Sequence, residues 1–436
     1  MRVLEYIRYR IFWIFDFLRG SKVLKHYKEV KFVMENPGSS RAKELHAHNL
    51  RQLLKHVVKQ CDYYSKNAGS LELSSFPVVN KSIIKNNQNR FKVQELSEKS
   101  FEVTTSGSTG TPFRSYQNQN KKYRNNADTI YFAERAGYKV GHRLIYMKIW
   151  VKQKMRNKLA YWAQNIVPID VIQFNEKDIA RLLNAIRKNS CTYGILAYSS
   201  VLDLMCTHLE REDKSYSHVA VNSIIAISEA LTDHTKLVME KYFEVPVVSR
   251  YSNLENGILA QQEVNGSKGF LINTASYHIE ILKMDSDEPA HEGEMGRIVV
   301  TDYFNYLMPF IRYDTGDIGA LQTDPTTPGL KYLSVVEGRK LDLLYDTSGE
   351  LVSSYIVYKN MWQYPEIDQY QLIQERAKEY CFKINVKGAF LKEKQLVEEF
   401  KTFLGTDALL NVEYVDEIPL LASGKRRKIV NNYKNY

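Results

Sequence analysis

Residues Thr104 to Phe113 read Thr-Thr-Ser-Gly-Ser-Thr-Gly-Thr-Pro-Phe, hydroxyls alternating with glycines and no large side chain before Phe113. Backbone N–H groups can approach an anion closely there, while Thr105, Ser106, Ser108 and Thr109 add hydroxyl donors. That is chemistry suited to a polyphosphate; a flexible polar loop has the same composition. Two other readings fail on spacing. A P-loop needs a Lys after its second glycine, and none follows Gly110; a nucleophile elbow needs Gly two places before the serine, where Ser106 stands before Ser108. Two more stretches carry groups that could contact such a ligand. In Arg312-Tyr313-Asp314-Thr315-Gly316-Asp317 the last carboxylate offers two oxygens at the spacing of vicinal hydroxyls, although a tight turn explains the same letters. Ser423-Gly424-Lys425 opens a basic run through Lys428 that reads as either a solvated tail or a polyanion contact.

Positioning such groups requires a large α/β framework. Residues 119–137, 177–189 and 199–211 have helical patterning, Leu144–Trp150 and Val221–Ile227 read as buried strands, and Val245–Val248 reads as the next. Further strands are expected within 267–283 and 294–301, before the low-complexity stretch Thr323–Gly329. Beyond it, 367–387 reads as a strand pair, 391–404 as a helix and 409–415 as a strand, a small α+β unit. The chain starts with 1–65 as a helical lead-in, broken at Asn36-Pro37-Gly38. In residues 1–19, Leu4, Ile7, Ile11, Ile14 and Leu18 fall at helical spacing among four arginines. Packing of that face on the protein's own body is the preferred expectation, and a helix lying on a membrane surface the alternative.

The 436 residues are 44% hydrophobic and 25% charged, as in an ordinary globular protein, with room for one large and one small domain. A net charge of +10 admits nucleic acid, an acidic membrane face or nucleotide and CoA phosphates as partners. No zinc-finger spacing, helix-turn-helix or RNA-binding signature is present, so nucleic acid is not expected. Cys61, Cys191, Cys206 and Cys381 form no Cys-x-x-Cys pair, which gives a reducing cytoplasm and no structural zinc as the expectation. No apolar run approaches the ~20 residues that span a bilayer.

Thr105 to Pro112 resemble the phosphate loop of the adenylate-forming enzymes, Ser/Thr-Ser-Gly-Ser/Thr-Thr-Gly-x-Pro. Phe113 stands where larger members carry Lys, as in the phenylacetate-CoA ligase branch. Arg51–Tyr64 and Phe76–Lys81 look like the corresponding region of CapK-type capsular-polysaccharide proteins. The resemblance implies an α/β fold, with an N-terminal ATP- and acid-binding domain at 1–337 and a mobile C-terminal domain at 338–436. It gives nucleotide contacts to Thr105, Ser106, Gly107, Ser108, Thr109 and Gly110. Ser228, Glu229 and Ala230 line adenine by position, though Ser228 as a helix cap fits the same letters. Tyr251 stacks on adenine and Glu255 helps hold Mg²⁺; Ser252 and Leu254 depart from Tyr-Gly-x-Ser/Thr-Glu. Asp317 takes the ribose and Arg339 reaches the nucleotide at a hinge, 338–342, where Leu341 replaces a common Asp. Lys425 is the catalytic lysine.

The implied activity is ATP-dependent acyl-AMP formation with release of pyrophosphate. A carboxylic acid is ionised at neutral pH, so attack on the α-phosphate needs no general base. The acyl group then passes to CoA or to an amine, an aminosugar of a cell-surface glycan precursor being one candidate. The acid itself is not readable, and Tyr198 and Trp150 are candidates for its pocket walls. A catalytically weakened nucleotide-binding or scaffolding member of the same fold is the alternative, motivated by Ser252, Leu254 and Leu341. A membrane-recruited adaptor is a third.

Overall fold

The computed structural model describes the chain except residues 1, 68–69, 95–98, 106–112, 151–157, 173, 265, 267–268, 340–343, 353–354, 365, 387, 420–426 and 434–436, together with the side chains of 338, 339, 351, 355, 358, 359 and 362. Strand Val221–Ile227 is buried along nearly its whole length, as a β-branched run between two parallel neighbours must be. Those neighbours are Tyr193–Tyr198 and Val247–Asn253, with Arg143–Lys148 and Ile166–Asp170 continuing the parallel half. On the other side of Val247–Asn253 the direction reverses. Six strands follow antiparallel, in the order Gly257–Gln262, Phe270–Ile272, Lys331–Arg339, Tyr313–Thr323, Gly296–Asp302 and Tyr277–Leu282, to complete an eleven-stranded sheet.

Alternate residues of the parallel strands point to opposite faces. One face packs Ile145, Ile195, Ile224 and Val247 under helices Glu176–Lys188, Ser199–Glu212 and Asp233–Phe243. The other carries Tyr146, Leu196, Ile225, Ile227 and Val248. Helix Gln119–Arg135 is seated on the sheet through buried charge. Lys121 pairs with Asp302 at 2.7 Å, and Arg124 bonds Ser276 at 2.8 Å and Glu29 at 2.9 Å. These bonds fix the helix that the hairpin Ser100–Asn118 leads into.

Residues 344–429 have their own core, with Leu372, Phe382, Phe400, Leu410 and Ile429 at its centre. Their four-stranded sheet runs Leu409–Tyr414, Glu379–Val386, Ile367–Arg376, Ile429–Asn431, beside helix Glu393–Leu404. The fold is therefore mixed α/β with a small C-terminal α+β unit.

The N-terminal helix, Val3–Leu18, corrects the preferred expectation for it. Its inward side is Glu5, Phe12, Trp13 and Asp16, while Leu4, Ile7, Ile11, Ile14 and Leu18 are 43–71% exposed. The reason is carboxylate bonding. Glu5 accepts from Thr192 N at 2.6 Å and Thr192 Oγ1 at 3.0 Å. Asp16 accepts from Val23 N and Leu24 N, both at 2.9 Å, in the first turn of helix Lys22–Glu35, where an acid also favours the helix dipole. Those bonds set the helix rotation and turn the aliphatic stripe outward. Among the described residues no helix is long and apolar enough to cross a membrane, and all four cysteines are free thiols.

Candidate active site

In open α/β sheets, ligand sites form outside the carboxyl ends of the parallel strands. Here the end of Val247–Asn253 is such a carboxyl end, at the seam where the parallel half of the sheet meets the antiparallel half. Tyr251 lies on this strand and donates its O–H to Asp317 Oδ2 at 2.7 Å. Burial pushes the Tyr251 phenol well above its usual range, and the Asp317 carboxylate adds to the shift, so the phenol stays a donor. Thr315 Oγ1 accepts from Asp317 N at 3.1 Å and donates to Ile298 O at 2.9 Å. Gly316 between them has φ +81°, which bends the strand so that the two side chains share an edge. Asp317 also pairs in register with Arg339, which brings the start of the expected hinge to the same edge. The Arg339 side chain, Leu341 and Asp342 lie outside the described residues.

Glu255 is 1% exposed. Its Oε1 accepts from Tyr313 O–H at 2.9 Å and pairs with Lys81 Nζ at 3.0 Å. Burial and then the Glu255 carboxylate raise the Tyr313 phenol well above its usual range. Glu255 O accepts from Gln117 Nε2 at 2.8 Å, and the Lys81 ammonium lies 6.0 Å from the Phe113 ring. The hairpin is thus fastened to Glu255 through Gln117, which pairs with Phe101, while Lys81 links Glu255 to the neighbourhood of Phe113, which pairs with Thr105 where the loop opens. Asn305 Nδ2 donates to Tyr116 O at 3.0 Å, a second tie. Ser106, Gly107, Ser108, Thr109 and Gly110 lie outside the described residues. Thr105, which opens that loop, has a buried hydroxyl with no hydrogen-bond partner among the described residues, the condition of a donor that a ligand would satisfy.

Ser228, Glu229 and Ala230 leave the end of Val221–Ile227, with Ser228 at φ +72°. Ser228 does not cap the following helix; Thr232 does, accepting from Thr235 N at 3.0 Å. Glu229 ties the turn to the next strand end, since its Oε2 accepts from Ser200 N at 3.0 Å and its carbonyl from Ser199 O–H at 2.9 Å. Lys425 lies outside the described residues. The structure therefore joins Tyr251 to Asp317, and Glu255 to the hairpin base. Lys81, Tyr313 and Thr315 belong to the same cluster and received no role from the sequence. Tyr313 and Thr315 stand inside a motif already singled out, whereas Lys81 pairs with a residue 174 positions away and leaves no local signal.

Glu255 is a lone buried carboxylate, and among the described residues no group of three or more His, Cys, Asp or Glu could hold a metal. That donor set fits a Mg²⁺ carried mainly by phosphate oxygens, which needs only one or two carboxylates.

Comparison with known proteins bears on the sequence and the fold. Residues 344–432 match the family model described as the CapK C-terminal domain. The chain is 23% identical to Protein CapK of Staphylococcus aureus over 96% of its own length and 95% of the relative's. It is 23% identical to phenylacetate-coenzyme A ligase of Aromatoleum evansii, over 47% of this chain and 50% of that one. Among solved structures, 2-hydroxyisobutyryl-CoA ligase in its postadenylation state with 2-HIB-AMP superposes at TM-score 0.71 and 15% identity, covering 92% and 91% of the two chains. The same ligase in its thioesterification state gives 0.54 at 91% and 91%. The amide bond synthetase McbA of Marinactinospora thermotolerans gives 0.54 at 16% identity, over 75% and 67%. Residues 344–432 thus match the CapK C-terminal domain family, and the chain as a whole is similar to Protein CapK in sequence and to the adenylate-forming ligases in fold.

Proposed function

We propose that this protein activates a carboxylic acid with ATP and transfers the acyl group to an acceptor. A carboxylate oxygen attacks the α-phosphorus, and the bond from that phosphorus to the β-phosphate bridging oxygen breaks. Acyl-AMP and pyrophosphate result. A thiol or amine then attacks the acyl carbon, and AMP departs with the C–O bond electrons. The observation that carries this reading is the convergence of Tyr251, Thr315 and Asp317 with Glu255 and the hairpin base at one strand end.

The chain's own groups divide the task. Asp317 accepts from the ribose hydroxyls, exchanging its bond from Tyr251 for bonds to the nucleotide. Tyr251 and the Ser228–Ala230 turn border the base, and Thr105 to Gly110 hold the phosphates. Glu255 would hold Mg²⁺, which when bound neutralises phosphate charge; Lys81 and Tyr313 orient that carboxylate. Lys425 stabilises charge on the phosphates in the first half-reaction, and Arg339 contacts the nucleotide from the hinge. The separate core of 344–429 supports a boundary near 338–343. A rotation there between half-reactions is favoured by the better match to the postadenylation state than to the thioesterification state of one ligase at nearly equal coverage.

Acid-dependent ATP–pyrophosphate exchange tests the reading, run over a panel of acids and followed by addition of CoA or an aminosugar. Exchange with at least one acid is the expected result. Nucleotide binding without exchange for any acid would favour the scaffolding alternative, for which the exposed Leu254 in the place of a hydroxyl residue is the specific motive. An aminosugar acceptor would fit a role in cell-surface polysaccharide synthesis.

The outward stripe of helix Val3–Leu18 supports work at a membrane surface. Leu4, Ile7, Ile11, Ile14, Phe15, Phe17 and Leu18 are exposed with Arg2, Arg10 and Arg19, while Arg8 lies over the exposed Trp162 ring. Large apolar residues flanked by arginines match the interface of an anionic bilayer. Sedimentation with phosphatidylglycerol vesicles should carry the full chain down, and Ile11→Glu with Phe15→Glu should leave it in the supernatant. Equal sedimentation of both proteins would exclude the helix as the contact.

A further inference from the structure

Among the described residues, buried arginines have charged partners, with one exception. Arg124 has Glu29 at 2.9 Å and Asp128 at 3.7 Å, and Arg312 has Glu280 at 3.3 Å. Arg250 is 7% exposed and donates through Nε to Gln261 Oε1 at 2.8 Å, but its Nη2 is buried with no hydrogen-bond partner. Among the described residues no carboxylate pairs with it. An unpaired buried guanidinium is costly, and such a group persists where something outside the chain completes it.

The place is informative. Arg250, Ile227 and Tyr198 stand in register across three adjacent parallel strands, at the carboxyl ends that face the candidate site. They share the sheet face of Tyr146, Leu196 and Val248. The Tyr146 ring meets Trp150 edge to face at 5.2 Å, and the Lys148 ammonium lies 4.7 Å from the Tyr146 ring and 4.3 Å from that of Trp150. Aromatic walls and a fixed cation therefore adjoin Tyr251 on the opposite face of the same strand. A nucleotide held by Tyr251 and Asp317 does not use that face.

We propose that Arg250 receives a second anionic group on the acid substrate, so that the acid carries a carboxylate, phosphate or sulfonate in addition to the carboxylate that is activated. The proposal rests on the adenylation reading and narrows it to a substrate class. An apolar monocarboxylic acid would leave the guanidinium desolvated and unpaired, whereas a diacid supplies the bidentate acceptor that Arg geometry fits. Burial also pulls the guanidinium down to about 10, in line with a charge that lacks its counter-ion in the free protein.

The test uses the purified full chain and matched acids: succinate against butyrate, glutarate against pentanoate, and 3-phosphoglycerate against glycerate. In ATP–pyrophosphate exchange, wild type should favour one or more of the doubly anionic acids over its partner by at least ~30-fold in kcat/KM, the scale of one charge-assisted pair. Arg250→Met should collapse that ratio, and Arg250→Lys should retain part of it. Melting curves keep the two readings apart. The doubly anionic acid should raise the melting temperature of wild type and not of Arg250→Met, even if no acid supports exchange, in which case the adenylation reading falls and the anion site stands. Arg250→Met alone should melt no lower than wild type, because it removes an unpaired buried charge. A wild type that favours the monoacid in every pair, or ratios unchanged by Arg250→Met, would overturn the proposal.

Discussion

Strand Val247–Asn253 presents two neighbouring residues to opposite faces in opposite states of satisfaction. Tyr251 is bonded to Asp317, and Asp317 is braced by Thr315, so the polar groups on that face already have protein partners. Arg250, one residue earlier, is left with an unpartnered Nη2. The first face can exchange one set of hydrogen bonds for another when a nucleotide binds, at little net cost. The second gains a full ionic partner only from a ligand, and so is better placed to discriminate among acids. Universal substrate and variable substrate would then be read from the two sides of one strand.

Several measurements can break or sharpen this contrast. Lys425→Ala should slow acid-dependent pyrophosphate exchange by ~10²-fold or more, as expected for loss of one preorganised charge. Transfer from pre-formed acyl-AMP should fall far less, and equal losses in both halves would remove the basis for a rotating C-terminal unit. Asp317→Ala should lower kcat/KM for ATP by about 10²-fold, through lost charge-assisted bonds, while leaving the ranking of acids as in wild type. A changed ranking would mean that the two faces are not separate.

Tyr251→Phe should have a smaller effect. It removes the donor to Asp317 and keeps the ring, so ATP kinetics should change by less than about tenfold and stability by about 1 kcal/mol, seen in denaturant melts. A loss comparable with that of Asp317→Ala would show that the O–H bond itself is needed with nucleotide bound.

The last effect concerns neither face and serves as a control. Burial pulls His278, on strand Tyr277–Leu282, down to about 4. The unfolded chain then binds the proton more readily than the folded one, so stability is complete above about pH 6.5 and lost as pH falls toward about 4. The whole difference is worth at most about 3 kcal/mol. His278→Gln should flatten part of the stability loss across that window without altering acid preference, as read from urea midpoints between pH 7 and 4.

Much of the framework was legible because burial leaves a period in the letters. Val221–Ile227 matches its expected bounds, and the expected helices at 199–211 and 391–404 are found at Ser199–Glu212 and Glu393–Leu404. The site was legible only where a motif is contiguous. Thr315 and Asp317 are two residues apart, but Tyr251 and Asp317 are separated by 66 positions and Glu255 and Lys81 by 174, and those meetings are set by sheet register. Arg250 gave no signal at all, because an arginine in a strand end looks like a solvated one until its neighbours are known. The first helix misled for a related reason. Its aliphatic period is real, but two carboxylates with specific N–H partners decided which side faces inward.

The seam at Val247–Asn253 also bears on how the molecule assembles. To one side, residues 277–339 form a meander of neighbouring antiparallel strands that pair at short separation; to the other, each parallel strand awaits a crossover helix. Contacts of the first kind nucleate sooner than those of the second. Pulse-labelled amide exchange during refolding should therefore find 313–323 protected before 221–227, and a partly folded chain would hold its Asp317 edge before its parallel neighbours are in place.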